Sequence, residues 1–204
     1  MSTSGSEQGS ALPSRPGPEP VLDHETAPPF EVIASTDLAR EWNLALRRDR
    51  VRWPDGSEAD YRVIEGPDAV FVVPFTPEGN TVLVRQWRHP WNTTAWEVPA
   101  GTLEAGEEPL AGAQRELEEE AGLVAGSWRS LGITRGSGLA SGRQHLFLAS
   151  GLQRVQRTPE PAERDMVVRE IPFRAALDAA LRGDIEHAAS VSAIVRAARA
   201  LGII

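Results

Sequence analysis

Apolar runs and polar breaks divide the chain after residue 28 into short strands followed by helices. Glu31–Ser35 and Leu44–Trp53 read as strands, and Pro54-Asp55-Gly56 forms a turn that returns the chain into Glu58–Glu65. Ala69–Thr76 and Thr81–Arg88 read as a second hairpin across Pro77-Glu78-Gly79-Asn80. A strand at Trp96–Pro99 leads into a polar loop and a helix. That helix opens at Pro109, where a missing N–H is no loss, and closes at Gly122. Leu110, Ala113, Leu117 and Ala121 form its apolar stripe. Trp128–Arg135, Gln144–Ala149 and Met166–Ile171 are further strands, the last two separated by a polar loop at Thr158–Asp165. Phe173–Arg182 and about Ala188–Leu201 are helices, the second with Val191, Ile194, Val195 and Ala198 on one stripe. There is no internal repeat. Strands and helices mixed in this order predict an α+β fold, with helices packed on a mixed sheet.

Residues 1–28 are rich in Ser, Gly, Pro and Glu, cannot bury a core, and are expected to form a disordered tail. That leaves residues 29–66 as an N-terminal strand and hairpin element and residues 67–204 as the main domain. With 204 residues, 41% hydrophobic and six Trp, the chain can bury one good core. The formal charge of -8 and pI of about 5.1 speak against nonspecific nucleic-acid binding, which needs a basic surface. The absence of Cys excludes disulfides, thiol catalysis and cysteine-ligated zinc, and fits a reducing compartment. No apolar run approaches the length of a membrane span and the N-terminus carries no hydrophobic signal segment, so a cytoplasmic location without membrane contact is expected.

Charge concentrates in Gly101–Leu123, where seven Glu and one Arg leave a local charge of -6. Most charge runs are solvated helix faces. Here the spacing argues for more: Glu116, Glu119 and Glu120 stand at i, i+3 and i+4 and share one helix face. Carboxylates that converge repel one another unless something offsets them. A hard divalent cation such as Mg2+ takes such oxygens and bridges to substrate phosphates.

Gly101, Glu107, Arg115, Glu116, Leu117, Glu119, Glu120, Gly122 and Leu123 fill every position of the pattern G-x5-E-x7-R-E-U-x-E-E-x-G-U, with U aliphatic. The segment thus resembles the box of the Nudix hydrolases. The resemblance implies an αβα sandwich and a pyrophosphohydrolase that cleaves nucleoside diphosphates linked to another moiety, using Mg2+ or Mn2+. It assigns the metal to Glu116 and Glu120, with Glu119 completing the cluster and the Ala100 carbonyl joining it. Arg115 is expected to pair with Glu107 and hold the loop on the helix, and Gly101 and Gly122 to serve the box structurally.

Outside the box the chain looks most like the ADP-ribose pyrophosphatase subfamily, over roughly residues 40–200. The matching segments are Asp49–Gly56, Leu83–Pro90, Trp96–Gly101, His145–Ala149 and Gly183–Ser190. This likeness implies a homodimer built through residues 29–66, with adenosine near Trp42 or Trp53. It implies further substrate contacts from Glu97, Arg85, Arg88, Gly101 and Leu139. Arg85 and Arg88 share a strand face only if the strand is bulged, and Glu97 has Arg88 as an alternative partner. A loop carboxylate, Glu160 or Glu163, is expected to activate water alongside Glu119. Two departures stand out: Ser137 replaces a proline of the subfamily and Gly142 an acidic residue. The glycines either loosen the loop Arg135–Gly142 or shape it for a different distal group. His89, His145 and His187 lack metal-ligand spacing and read as packing or surface residues. Hydrolysis of ADP-ribose or a related ADP-sugar is the leading expectation. Another nucleoside diphosphate-linked substrate, a nucleoside triphosphate, or a non-hydrolysing binding module are the alternatives.

Overall fold

The computed structural model describes Leu22, residues 27–158, Glu163 and residues 165–204. Nearly all of the expected tail, and Glu160, lie outside the described residues. The first three strands, β1 (Glu31–Glu41), β2 (Leu44–Arg52) and β3 (Glu58–Glu65), form an antiparallel sheet in that order. The β2–β3 turn follows from Asp55, whose carboxylate accepts the Ser57 N–H at 2.9 Å, and from Gly56 at φ 86°. β1 runs past the expected Ser35. Its pairing with β2 absorbs the polar stretch through irregularities between Val32 and Ala34 and between Asp37 and Ala39.

The main body holds β4 (Ala69–Pro74), β5 (Asn80–Arg88), a 3-10 turn at His89–Trp91, β6 (Thr93–Glu97), β7 (Ala100–Thr102), α1 (Pro109–Ala121), β8 (Leu123–Arg135), β9 (Arg143–Arg154), β10 (Val167–Pro172), α2 (Phe173–Arg182) and α3 (Ala188–Ala200). One sheet has the order β7-β4-β9-β8, with β4 and β9 parallel and the other pairs antiparallel. A second, antiparallel sheet has the order β10-β5-β6. The expected hairpin of β4 with β5 is therefore not formed. Both edges of β4 are taken, by β7 and β9, and only a single bridge between Phe75 and Thr81 links it to the next strand.

Alternation along β4 shows why it sits centrally. Val70 and Val72 pack with Ala113, Leu117 and Ala121 of α1, whereas Phe71 and Val73 pack with α2 and α3. Strand β4 is thus buried on both faces and the sheet lies between helices, as the α+β sandwich requires. Fully burying side chains such as Leu117, Phe173 and Ile194 contributes roughly 1.5–3 kcal/mol each. Leu110, placed on the apolar stripe by its spacing, is instead 42% exposed because it occupies the first turn, beyond the packed part of the helix. The buried face of α1 includes Glu116 and Glu120. On α3 the buried set is Ala189, Ser190, Ala193, Ile194, Ala197 and Ala198, and Val191 and Val195 are only partly covered. Among the described residues no helix is long and apolar enough to cross a membrane.

Candidate active site

Strand β7 and helix α1 bring the box together. Ala100 N–H donates to Glu120 Oε2 at 2.7 Å, fastening the helix to the strand. A Cβ on Gly101 would overlap the Glu116 carboxylate, so glycine is required there for space. Gly122, at φ 64°, closes the helix by donating to Glu118 O at 3.0 Å. Arg115 holds the loop with two bonds of 3.0 Å to Glu107 and one of 3.1 Å to Thr102 O. Its Nη1 also donates to Glu116 at 2.8 Å and to Glu119 at 3.0 Å.

Carboxylate oxygens of Glu116, Glu120 and Glu163 lie within 4.8 Å of one another. Glu116 and Glu120 are buried and Glu163 half-buried. Burial pushes Glu116 up to about 7, against the pull of Arg115, and pushes Glu120 well above the carboxylate range. Neighbouring carboxylates add to both shifts. Such a cluster is costly with all members ionised, and its all-oxygen donor set suits a hard divalent cation. The third member of the cluster is Glu163, delivered by the loop before β10, whereas Glu119 is engaged with Arg115 on the rim.

Beside the box runs a second network. Glu97 is fully buried and accepts from Arg88 Nε at 2.6 Å, with Arg88 Nη2 on its other oxygen. His187 Nδ1 lies 3.0 Å from Glu97 and 3.1 Å from Ser190 Oγ, which in turn accepts the Val98 N–H at 3.1 Å. Burial alone would raise the Glu97 carboxyl, but Arg88 and His187 outweigh it and hold it down at about 2. The His187 ring packs between Phe71 and Trp91, at 5.3 and 5.7 Å. Together with Arg88, Gly101 and Thr102 these residues line a groove of about 370 Å³. His187, read from sequence as an ordinary packing residue, is thus at the groove. Its place in the segment Gly183–Ser190 was the available signal.

The other candidate positions are dispersed. β5 pairs with β6 in regular register, so Arg85 and Arg88 take opposite faces. Arg85 lies 5.4 Å from the Trp96 ring, across the sheet from the groove. Trp42 is 90% exposed in the β1–β2 turn, and Trp53 packs with Phe30 and Tyr61 on the N-terminal sheet. Leu139 O accepts the Ile64 N–H at 2.7 Å and Ser141 N–H donates back to Ile64 O at 3.0 Å. The loop Arg135–Gly142 is therefore fastened to β3 rather than loosened by its glycines. Gly142 serves close approach, since a Cβ there would press on Pro67 O.

Two buried carboxylates of α1 joined by Glu163 in an αβα sandwich form an all-oxygen site of the kind that suits a hard divalent cation. The profile of the NUDIX domain matches residues 66–192. Over 170 residues the chain is 38% identical to an ADP-ribose pyrophosphatase of Mycobacterium tuberculosis, covering 81% of this chain and 82% of the relative. It is 35% identical over 149 residues to an ADP-ribose pyrophosphatase of Bacillus subtilis, covering 72% and 80%. A solved structure, titled as that of an ADP compounds hydrolase, shares the fold with a TM-score of 0.77 at 18% identity, covering 88% of this chain and 97% of that one. The chain belongs to the Nudix family, and within it is a hydrolase resembling the ADP-ribose pyrophosphatases.

Proposed function

We propose that this protein is a Mg2+- or Mn2+-dependent pyrophosphohydrolase that cleaves ADP-ribose or a related ADP-sugar to AMP and a sugar phosphate. The observation that carries this reading is the convergence of Glu116, Glu120 and Glu163 next to the groove at Gly101. Its choice of substrate rests on the named activities of the two relatives.

Glu116 and Glu120, with the Ala100 carbonyl, would hold the cation. When bound, it supplies neutralisation of the pyrophosphate oxygens and acidification of water. Glu163 faces the same point from its loop and accepts a proton from the attacking water. A new phosphorus–oxygen bond forms as the bridging phosphorus–oxygen bond breaks, and the departing phosphate leaves as an anion. Glu119 completes the acidic cluster through Arg115, with Glu160 as the further loop carboxylate. Arg88, held by Glu97, places positive charge on the groove wall for the phosphates, and Gly101 lets substrate approach the backbone. Trp42, Trp53 and Leu139 are assigned to binding the rest of the substrate, the two tryptophans to adenosine, whereas Arg85, stacked on Trp96 across the sheet from the groove, is given no substrate contact.

The N-terminal sheet presents Val32, Leu38, Leu44, Leu46, Tyr61 and Ile64 with large exposed apolar area, which suits a homodimer interface. A second reading, a different distal group, is favoured by Ser137 and Gly142 in the fastened loop. ADP-ribose, ADP-glucose and ADP-mannose supplied with Mg2+ test both readings. Phosphate released only after addition of a phosphatase supports cleavage between the phosphorus atoms, and the ranking of the three identifies the distal group. No phosphate from any ADP-sugar overturns the assignment.

A further inference from the structure

Glu163 stands far along the chain from Glu116 and Glu120, on the loop between β9 and β10, and Arg157 reaches its backbone. Arg157 Nη1 donates to Met166 O at 3.3 Å and its Nη2 to Glu163 O at 3.4 Å, long bonds by ordinary standards. Among the described residues its buried Nε has no hydrogen-bond partner. The stem of Arg157 lies against the end of α1: a Cβ on Gly122 would come within 3.3 Å of Arg157 Cγ and 3.0 Å of Val155 O. Val155 N–H donates to Gly122 O at 2.9 Å, so the chain is anchored to the box helix two residues before Arg157. The Glu163 end is drawn in by Met166 N–H, which donates to Glu163 O at 2.9 Å. One side chain therefore spans from the helix that carries Glu116 and Glu120 to the backbone that carries Glu163.

We propose that Arg157 is a positioning residue for Glu163, setting the distance of its carboxylate from the Glu116–Glu120 pair. This rests on the metal-dependent reading of that cluster and not on the identity of the sugar. A planar guanidinium reaches two carbonyls at once, which a lysine ammonium cannot do in the same geometry.

The test is a double-mutant cycle of Arg157→Ala and Glu163→Gln, with Arg157→Lys as a milder variant should the alanine protein not fold. Two readouts are taken: the affinity for Mn2+ alone by titration calorimetry, and kcat with KM on ADP-ribose. Glu163→Gln removes a charge within 4.8 Å of both other carboxylates and weakens Mn2+ binding. Arg157→Ala is expected to weaken Mn2+ and lower kcat by about tenfold to a hundredfold, as loss of a group that orients a ligand does, with KM little moved. Arg157→Lys retains part of the function. In the Glu163→Gln background, either change at Arg157 costs no more than about twofold, because there is nothing left to position. Losses that multiply in the double variant, or wild-type Mn2+ affinity and kcat in Arg157→Ala, overturn the proposal. A wild-type protein that binds Mn2+ but cleaves no ADP-sugar overturns the substrate assignment alone and leaves the Mn2+ cycle to decide on Arg157.

Discussion

Replacing Glu97 by Gln isolates one buried charge and gives a magnitude that can be checked. The amide keeps the shape of the side chain but leaves Arg88 and His187 facing a neutral group with one fewer acceptor oxygen. The Glu97 carboxyl is held at about 2 against an ordinary 4.5. That difference of 2.5 corresponds to about 3 kcal/mol of stability from the ionised form. The figure agrees with the roughly 3–5 kcal/mol lost when one partner of a buried ion pair is removed. Because the folded value is depressed, the stabilisation is complete above about 4.5 and is lost as pH falls from there toward 2. Urea unfolding of wild type and Glu97→Gln, followed between pH 7 and pH 2.5, reads this directly. The variant is expected to be less stable by about 3 kcal/mol near neutrality, a drop of roughly 6–12 °C in Tm for a chain of this size. The gap is expected to narrow steadily below the ordinary carboxylate pKa. A neutral-pH difference under about 0.5 kcal/mol, the scale of a surface substitution, refutes the reasoning. So does a gap that stays constant into acid.

Three further outcomes follow from the site and the sheets. Glu120→Gln is expected to keep the fold, by circular dichroism, and to lose nearly all Mg2+-dependent turnover, since the missing charge removes several kcal/mol of transition-state stabilisation; near wild-type turnover contradicts the metal assignment. Gly101→Ala is expected to destabilise by about 1–3 kcal/mol and to depress turnover, because the new methyl displaces the Glu116 carboxylate; a variant as stable and active as wild type shows that the space is not needed. Full-length protein is expected to scatter light as a dimer at micromolar concentration, and protein lacking residues 1–66 as a monomer; a monomeric full-length chain rules out the N-terminal sheet as an interface.

What the linear sequence determined was whatever is encoded within one or two turns of chain. The box could be read because its carboxylates lie close along the chain: helical periodicity puts Glu116 and Glu120 one turn apart, Pro109 starts the helix and Gly122 ends it. The Asp55–Gly56 turn and the bounds of α2 and α3 were legible for the same local reasons. Leu110 was misplaced because periodicity assigns a face to every position but not where packing begins. Tertiary structure decided the rest. The short apolar runs at β4 and β5 suit a hairpin equally well, and only competition for the edges of β4 by β7 and β9 sends them to different sheets. The third carboxylate beside Glu116 and Glu120 is Glu163, and His187 joins Glu97, because folding closes long loops around the sandwich core. The sequence offered Glu163 only as one of two loop candidates and His187 only within a matching segment; their meetings with the box and with Glu97 depend on burial and on the summed packing of two cores.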